Sequence, residues 1–353
     1  SLTDSQIQET SFCHGTSLGK TFLLCDKIAF MHYTESFEKI SKKDTETAGG
    51  KGASLEEMIQ ANIPVPLGFV VLAPSFDTFI KITDLNVEID HQLHSVDTQK
   101  IHTVEEASAQ IQKRIKAATV PQEIADEILK SFDALGAKRV AIRSSATSED
   151  SADATWAGQL DSYMNITREN VVETVQKCWA SLFTPRAIFY RFEKNLHKEH
   201  ISVAVVVQKM VKSEVSGIAF SVHPVTEDQN QMIIEAGWGF GDAVVSGSIT
   251  PDSYVVEKDP RSILDVSVST QERKLVQRMA DEEPDEEWGE NIWKAVPTEK
   301  KSQQKLREEE ILELAEIIIS IEKHYGFPCD IEWALEKNIF YITQSRPITT
   351  LTK

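Results

Sequence analysis

No apolar run in this sequence approaches the roughly 18 residues that a membrane-spanning helix needs. The apolar stretch Thr21–Met31 is broken by Asp26 and Lys27, which excludes both a signal-peptide core and an anchor. Cysteine is scarce and scattered. Cys13, Cys25, Cys178 and Cys329 form no C-x-x-C pair, so reduced thiols in a cytoplasmic protein are expected. Positive charge is in deficit, with 37 Lys and Arg against 55 Asp and Glu and a net charge of −18. Such a surface repels a phosphate backbone, and no basic cluster interleaved with aromatics offsets it, so nucleic acid is excluded as a partner. Much of the acidity sits in Asp281–Glu290, read as a solvated loop. There is no internal repeat, no low-complexity tract and no Ser/His/Asp spacing that argues for nucleophilic catalysis.

What is present suffices for a sizeable core. Of the 353 residues 41% are apolar, enough for two domains or two tightly coupled lobes. A start at Ser1 and an end at Lys353, just after a strong motif, lead us to expect a piece of a longer protein. Residues 1–30 carry little pattern; 31–204 and 205–350 are expected to form an N-terminal and a C-terminal lobe. A glycine-rich turn at Gly49, Gly50 and Gly52 runs into a short helix, Ser54–Gln60, and Ile63–Leu72 reads as a turn feeding a strand. Residues 104–135 read as helices interrupted near Pro121, and Val140–Arg143 as a short strand. Val171, Val175, Cys178, Trp179 and Leu182 fall at helical spacing, with Pro185 as punctuation. Val203–Val211 is almost entirely apolar and β-branched, as in a strand buried on both faces. Ser216–Ser221 and Met232–Glu235 are further strands. Ile311, Leu314, Ile318, Ile321 and Tyr325 mark one face of a helix closed by Gly326, and a hairpin of Asp330–Leu335 and Ile339–Gln344 ends the fold. Strands and helices mix without regular β-α-β alternation, which predicts an α+β architecture.

Two stretches imitate nucleotide motifs without meeting their spacing. Gly15 to Thr21 has three residues between its glycines where a P-loop needs four, with His14 in place of the first glycine. Gly237-Trp-Gly239-Phe-Gly241-Asp242 breaks the dinucleotide order and reads equally as a tight turn between core strands or as a functional backbone turn. His197 and His200, flanking Lys198 and Glu199, read as a solvated face rather than a metal site.

Three features carry more chemistry. Gly49-Gly50-Lys51-Gly52 before a helix brings backbone N–H groups and one ammonium towards an anion, although a flexible turn fits the same residues. Arg143, at a strand end before Ser144, Ser145 and Thr147, offers a guanidinium that can engage two phosphate oxygens; pairing with Glu149 or Asp150 is the alternative. In the last hairpin a loop of three or five residues would turn Glu332, Gln344 and Arg346 to one face, while a two-residue loop would split them. A carboxylate and an amide oxygen are hard donors suited to Mg²⁺, and Arg346 beside them would neutralise the same phosphate.

Taken in order, these motifs resemble the nucleotide-binding domain of phosphoenolpyruvate synthases and pyruvate phosphate dikinases. The resemblance rests on Gly49-Gly-Lys-Gly-Ala-Ser-Leu, Val140-Ala-Ile-Arg-Ser-Ser-Ala-Thr-Ser-Glu-Asp, Ala157-Gly-Gln-Leu-Asp-Ser-Tyr, Val207-Gln-Lys-Met-Val, Glu235 to Gly247, Asp330-Ile-Glu-Trp-Ala and Gln344-Ser-Arg-Pro-Ile. It implies an ATP-grasp fold whose two lobes close on ATP. It further implies that Lys51, Arg143 and Arg346 hold phosphates, with Arg143 and Arg346 catalytic, and that Gly158 and Ser162 line the nucleotide site. By the same resemblance Gln208, Met210 and Val211 meet the adenine edge, and Glu332 and Gln344 bind Mg²⁺. Ser162, Leu160 and Asp242 depart from the more usual Thr, Gln and Glu. The family's phosphorylatable histidine, in a Gly-Gly-x-x-x-His-Ala-type segment, does not occur here. A phosphohistidine domain and a pyruvate-binding domain are therefore the implied partners, and the implied reaction yields phosphoenolpyruvate, AMP and phosphate. A rifampin-type antibiotic phosphotransferase and a stand-alone regulatory nucleotide-binding module are the competing readings.

Overall fold

Two antiparallel sheets, joined by one short connector between an interior strand of each, frame a cleft. The computed structural model describes residues 32–41, 43–147, 161–196, 199, 201–279, 282, 290–348 and 351, and Tyr33–Lys353 forms one unit. The first sheet contains β1 (Thr34–Ser36), β2 (Gly68–Val71), β3 (Val140–Ala146), β4 (Ser162–Ile166) and β5 (Val203–Lys209), in the order β1-β2-β5-β3-β4. The second contains β6 (Val215–Phe220), β7 (Gln231–Trp238), β8 (Asp252–Glu257) and β9 (Ser262–Ser267). A two-stranded ribbon, β10 (Arg273–Gln277) and β11 (Asn291–Ala295), stands apart, and β12 (Cys329–Glu336) and β13 (Ile339–Pro347) complete the second sheet in the order β13-β12-β6-β7-β8-β9.

Helix α1 (Thr45–Gln60) precedes β2. A helical layer follows: α2 (Ala73–Ile82), α3 (Leu85–His94), α4 (Ile101–Ala117), α5 (Gln122–Leu135), α6 (Val171–Ser181) and α7 (Pro185–Glu193). A single turn, α8 (Asp242–Val245), and the long α9 (Glu308–Tyr325) belong to the second half. The mixture of helices and antiparallel strands is the α+β class expected. Among the described residues no helix is long and apolar enough to cross a membrane.

Strand β5 shows why its sequence is apolar without alternation. Val203, Val205 and Val207 pack into the core under the helical layer, while Ala204 and Val206 pack into a second core with α1, α9 and the second sheet. Alternate residues of a strand point to opposite faces, so a strand covered on both sides needs apolar residues throughout. Because β5 pairs continuously with β2 and β3, the change of sheet comes after Lys209 and not at residue 204.

Other boundaries moved for local reasons. The helix expected over Ser54–Gln60 begins at Thr45, with Gly49 kinked inside it at φ +70°. The strand expected to end at Arg143 runs on to Ala146, all seven residues buried. Pro185 starts α7 rather than only ending α6, as its fixed φ suits a first helical position, and the Ala187 N–H donates to Thr184 Oγ1 at 3.2 Å. Cys178 and Cys329 are unpaired and buried, and burial pushes both thiols up to about 12, so both are inert at neutral pH. The Gly15–Thr21 stretch, the His197/His200 pair and most of Asp281–Glu290 lie outside the described residues.

Candidate nucleotide site

The connector after β5 brings the two sheets together around a cavity of about 180 Å³. Of the residues singled out in the sequence, Arg143, Ser162, Gln208, Met210, Val211, Glu332 and Gln344 all line it. Arg143 and Ser162 are direct partners across β3 and β4, so the guanidinium and the hydroxyl start from adjacent positions. Gln208 is buried in β5, and its amide Nε2 donates to the Pro66 carbonyl at 3.4 Å. Met210 follows the strand, its N–H donating to the Arg139 carbonyl at 3.1 Å, and its side chain packs with Phe240 and Leu275.

Arg143 is the residue that crosses from one sheet to the other. It is 8% exposed. Its Nη1 donates to the Thr343 carbonyl at 3.0 Å, and its Nη2 lies 3.5 Å from Glu332 Oε2. Its described ion-pair partner is thus in the last hairpin; Glu149 and Asp150 lie outside the described residues.

The hairpin places Glu332 by a route the sequence reading did not foresee. Its loop is Lys337–Asn338, two residues at φ +52° and +60°, as a tight two-residue turn requires. That loop pairs Glu336 with Ile339 and Trp333 with Ile342, and by itself it would split Glu332 from Gln344. A bulge at Thr343 restores the parity, so that Glu332 faces Gln344 and Asp330 faces Arg346. The set shares one face, but through a bulge and not through a three- or five-residue loop.

Lys51 and Arg346 sit to the side. The Lys51 N–H donates to Ser145 Oγ and its Nζ to the Ser144 carbonyl, both at 3.1 Å, which ties the kinked start of α1 to β3. It lines a small adjoining pocket together with Arg143, Thr343 and Gln344. Gly49 permits that approach, since a Cβ there would meet Ser145 Oγ at 2.1 Å. Arg346 lines neither cavity; its Nη2 lies 2.7 Å from Asp330 Oδ2. Gly158 lies outside the described residues.

Asp242 and Asp330 were not picked out as site residues. Asp242 lines the cavity from the first turn after Gly241. Burial pushes its carboxyl up, Arg143 pulls it down and Glu332 pushes it up again. Burial likewise raises Asp330, opposed by Arg346, with Glu332 adding to the rise. The Gly237–Asp242 stretch was the available signal. Gly239 at φ +92° turns the chain, the Ser213 and Ser216 hydroxyls both donate to its carbonyl, and Asp242 is carried into the cleft.

The donor chemistry fits a magnesium ion. Glu332 and Gln344 are opposed hard oxygen donors, and the raised Asp242 carboxyl marks a place where a further positive charge would be favourable. Among the described residues there is no cluster of three or more His, Cys, Asp or Glu forming a protein-only cage. Magnesium does not need one, because it keeps waters and takes phosphate oxygens.

Residues 45–353 match the family described as pyruvate phosphate dikinase, AMP/ATP-binding domain. This chain belongs to that family of ATP-binding domains. A probable phosphoenolpyruvate synthase of Methanocaldococcus jannaschii is 44% identical over 92% of this chain and 27% of its own length. One from Methanothermobacter thermautotrophicus is 43% identical over 90% of the chain and 46% of its own length. The phosphoenolpyruvate synthase of Pyrococcus furiosus is 36% identical over 89% of the chain and 43% of its own length. The chain therefore spans less than half the length of these relatives. A D-alanine–D-alanine ligase structure from Bacillus anthracis aligns over 69% of this chain and 66% of its own, at 9% identity and a TM-score of 0.27. A likeness that weak says nothing about fold or chemistry.

Proposed function

We propose that the cleft between the sheets binds Mg·ATP and that this domain serves a phosphoenolpyruvate synthase-like phosphotransferase. The observation that carries the reading is Arg143 reaching from β3 to Glu332 and the Thr343 carbonyl, which joins a phosphate-type cation to a metal-type carboxylate. The relatives' names and the short span of their length that this chain covers support the wider assignment.

In this reading Gln208, Met210 and Val211 meet the adenine edge, and Gly158 and Ser162 line the nucleotide site. Lys51, Arg143 and Arg346 neutralise phosphate oxygens, with Arg143 and Arg346 acting on the transferred group. Glu332 and Gln344 hold the metal, which when bound neutralises charge on the phosphates. Phosphoryl transfer depends mainly on positioning and charge neutralisation, and these residues supply both. Two lobes, one on each sheet, would close on the nucleotide in the ATP-grasp manner. The terminal phosphates would pass to a histidine on a separate swivelling domain, leaving AMP; water would then take one as free phosphate, and the other would go to the enol oxygen of pyruvate.

Titration calorimetry tests the site. Mg·ATP is expected to bind and to lose affinity on chelation, and Glu332→Gln to weaken binding by at least tenfold, or about 1.4 kcal/mol. Gln344→Ala should act in the same direction and non-additively. Equal heats with and without Mg²⁺ would overturn the metal assignment.

A further inference from the structure

A second cavity, of about 570 Å³, opens among α2, α3 and α7 on the helical layer and shares no lining residue with the nucleotide cleft. Its rim is polar and exposed, carrying Lys81, Asn86, Asp90 and Glu199. Its floor is largely apolar, formed by the buried Phe76, Ile89, Phe183 and Ile201, with the buried Arg191 and the half-buried Asp77 as its charged residues.

Arg191 is 5% exposed. Its guanidinium makes one hydrogen bond among the described residues, from Nη2 to the Glu199 carbonyl at 3.3 Å, and Nε is buried without a partner. The Phe183 ring centroid lies 5.9 Å from the guanidinium carbon. Burial pushes the group down to about 10, with Asp90 pulling it back up, so it stays cationic at neutral pH. No carboxylate among the described residues stands within ion-pair distance of it. A buried, charged fork left this poorly satisfied is costly, and helix α7 would hold an apolar residue there more cheaply. A carboxylate entering from the rim would meet donors suited to it, and an apolar body would fill the space against Phe76 and Ile89.

We propose that this cavity is a binding site for a small carboxylate carrying an apolar body, separate from the nucleotide cleft. Arg191 takes the carboxylate, the aromatic and aliphatic floor takes the body, and the mixed charges of the rim decide whether an α-amino group is also accepted.

The test uses the whole chain with saturating Mg·ATP present, so that the cleft is occupied. 3-Phenylpropionate, phenylalanine and 3-phenylpropionamide serve as probes, read by thermal shift and calorimetry. The expected result is saturable binding of at least one carboxylate, undiminished by ATP, with the amide at least tenfold weaker. Arg191→Leu should fold and weaken carboxylate binding at least tenfold. A crystal of the unaltered chain grown with the tighter carboxylate should show it against Arg191, which keeps the test valid if the variant fails to fold. Three outcomes overturn the proposal: no saturable binding by either carboxylate, equal binding of the amide, or displacement of the probe by ATP.

Discussion

Glu332 stands opposite Gln344 because Thr343 is extruded from the β12–β13 ladder. The same bulge presents the Thr343 carbonyl to Arg143 at 3.0 Å, so one extra backbone residue both aligns the two oxygen donors and anchors the cation beside them. β-bulges commonly re-aim side chains, and this one re-aims Gln344 on the edge strand of the second sheet.

Deleting Thr343 should restore a regular ladder with Gln344 still opposite Glu332, but it removes the bulge carbonyl that accepts from Arg143 Nη1. Mg·ATP affinity, measured by calorimetry, should fall at least tenfold, about 1.4 kcal/mol. Thr343→Ala removes only the hydroxyl that donates to the Glu332 carbonyl at 3.2 Å, and should stay within about 0.5 kcal/mol of the parent in binding.

Gly49→Ala combines a left-handed backbone with a direct clash. At φ +70° the new Cβ would meet Ser145 Oγ at 2.1 Å and the Ser145 carbonyl oxygen at 2.6 Å. The expected loss is about 2–4 kcal/mol in urea unfolding. Gly136→Ala, at φ +63° with open space around it, should cost only about 1–2 kcal/mol.

Lys305 and Asp252 form an ion pair in which both side chains are fully buried, at 2.7 Å. Asp252 also accepts from the Ser269 and Lys305 N–H groups and the Tyr254 hydroxyl, so the carboxylate is satisfied from several sides. Lys305→Met strands that carboxylate and should destabilise by about 3–5 kcal/mol. Asp252→Asn added to it should recover part of the loss, which a double-mutant cycle in urea measures.

Glu56 is 1% exposed on α1, and its Oε1 has no hydrogen-bond partner among the described residues. Burial raises its carboxyl first, with Glu57 and Asp44 adding to the rise. A raised carboxyl binds its proton more tightly in the folded state. Stability is therefore favoured at low pH and lost as pH climbs from the ordinary carboxylate value through the raised one. Glu56→Gln should be the more stable protein at neutral pH, with the gap closing as pH falls into the ordinary carboxylate range. A gap independent of pH in thermal melts would contradict the assignment.

Several features were legible in the sequence because they depend on neighbours along the chain. The two-face burial of β5 follows from an unbroken apolar run of valines and Ala204, α9 from its apolar spacing and Gly326, and the Gly49 turn from glycines before a helical segment. The candidate site residues Lys51, Arg143, Glu332 and Gln344 were legible as charges and an amide beside glycines or in strands. What the chain order could not supply was which of them meet. Arg143 and Glu332 are 189 positions apart, and their meeting depends on two sheets being joined after Lys209. Arg346 looked equivalent to Gln344 by parity, yet Asp330 holds it aside from the cavity. Asp242 looked like part of a turn until the fold carried it against Arg143 and Glu332. The bulge left no periodic trace either, because one extruded residue is a backbone choice that the ladder on both sides decides. Local pattern determined the elements and the kinds of chemistry available; long-range packing, which burial drives and sequence distance does not reveal, decided the geometry.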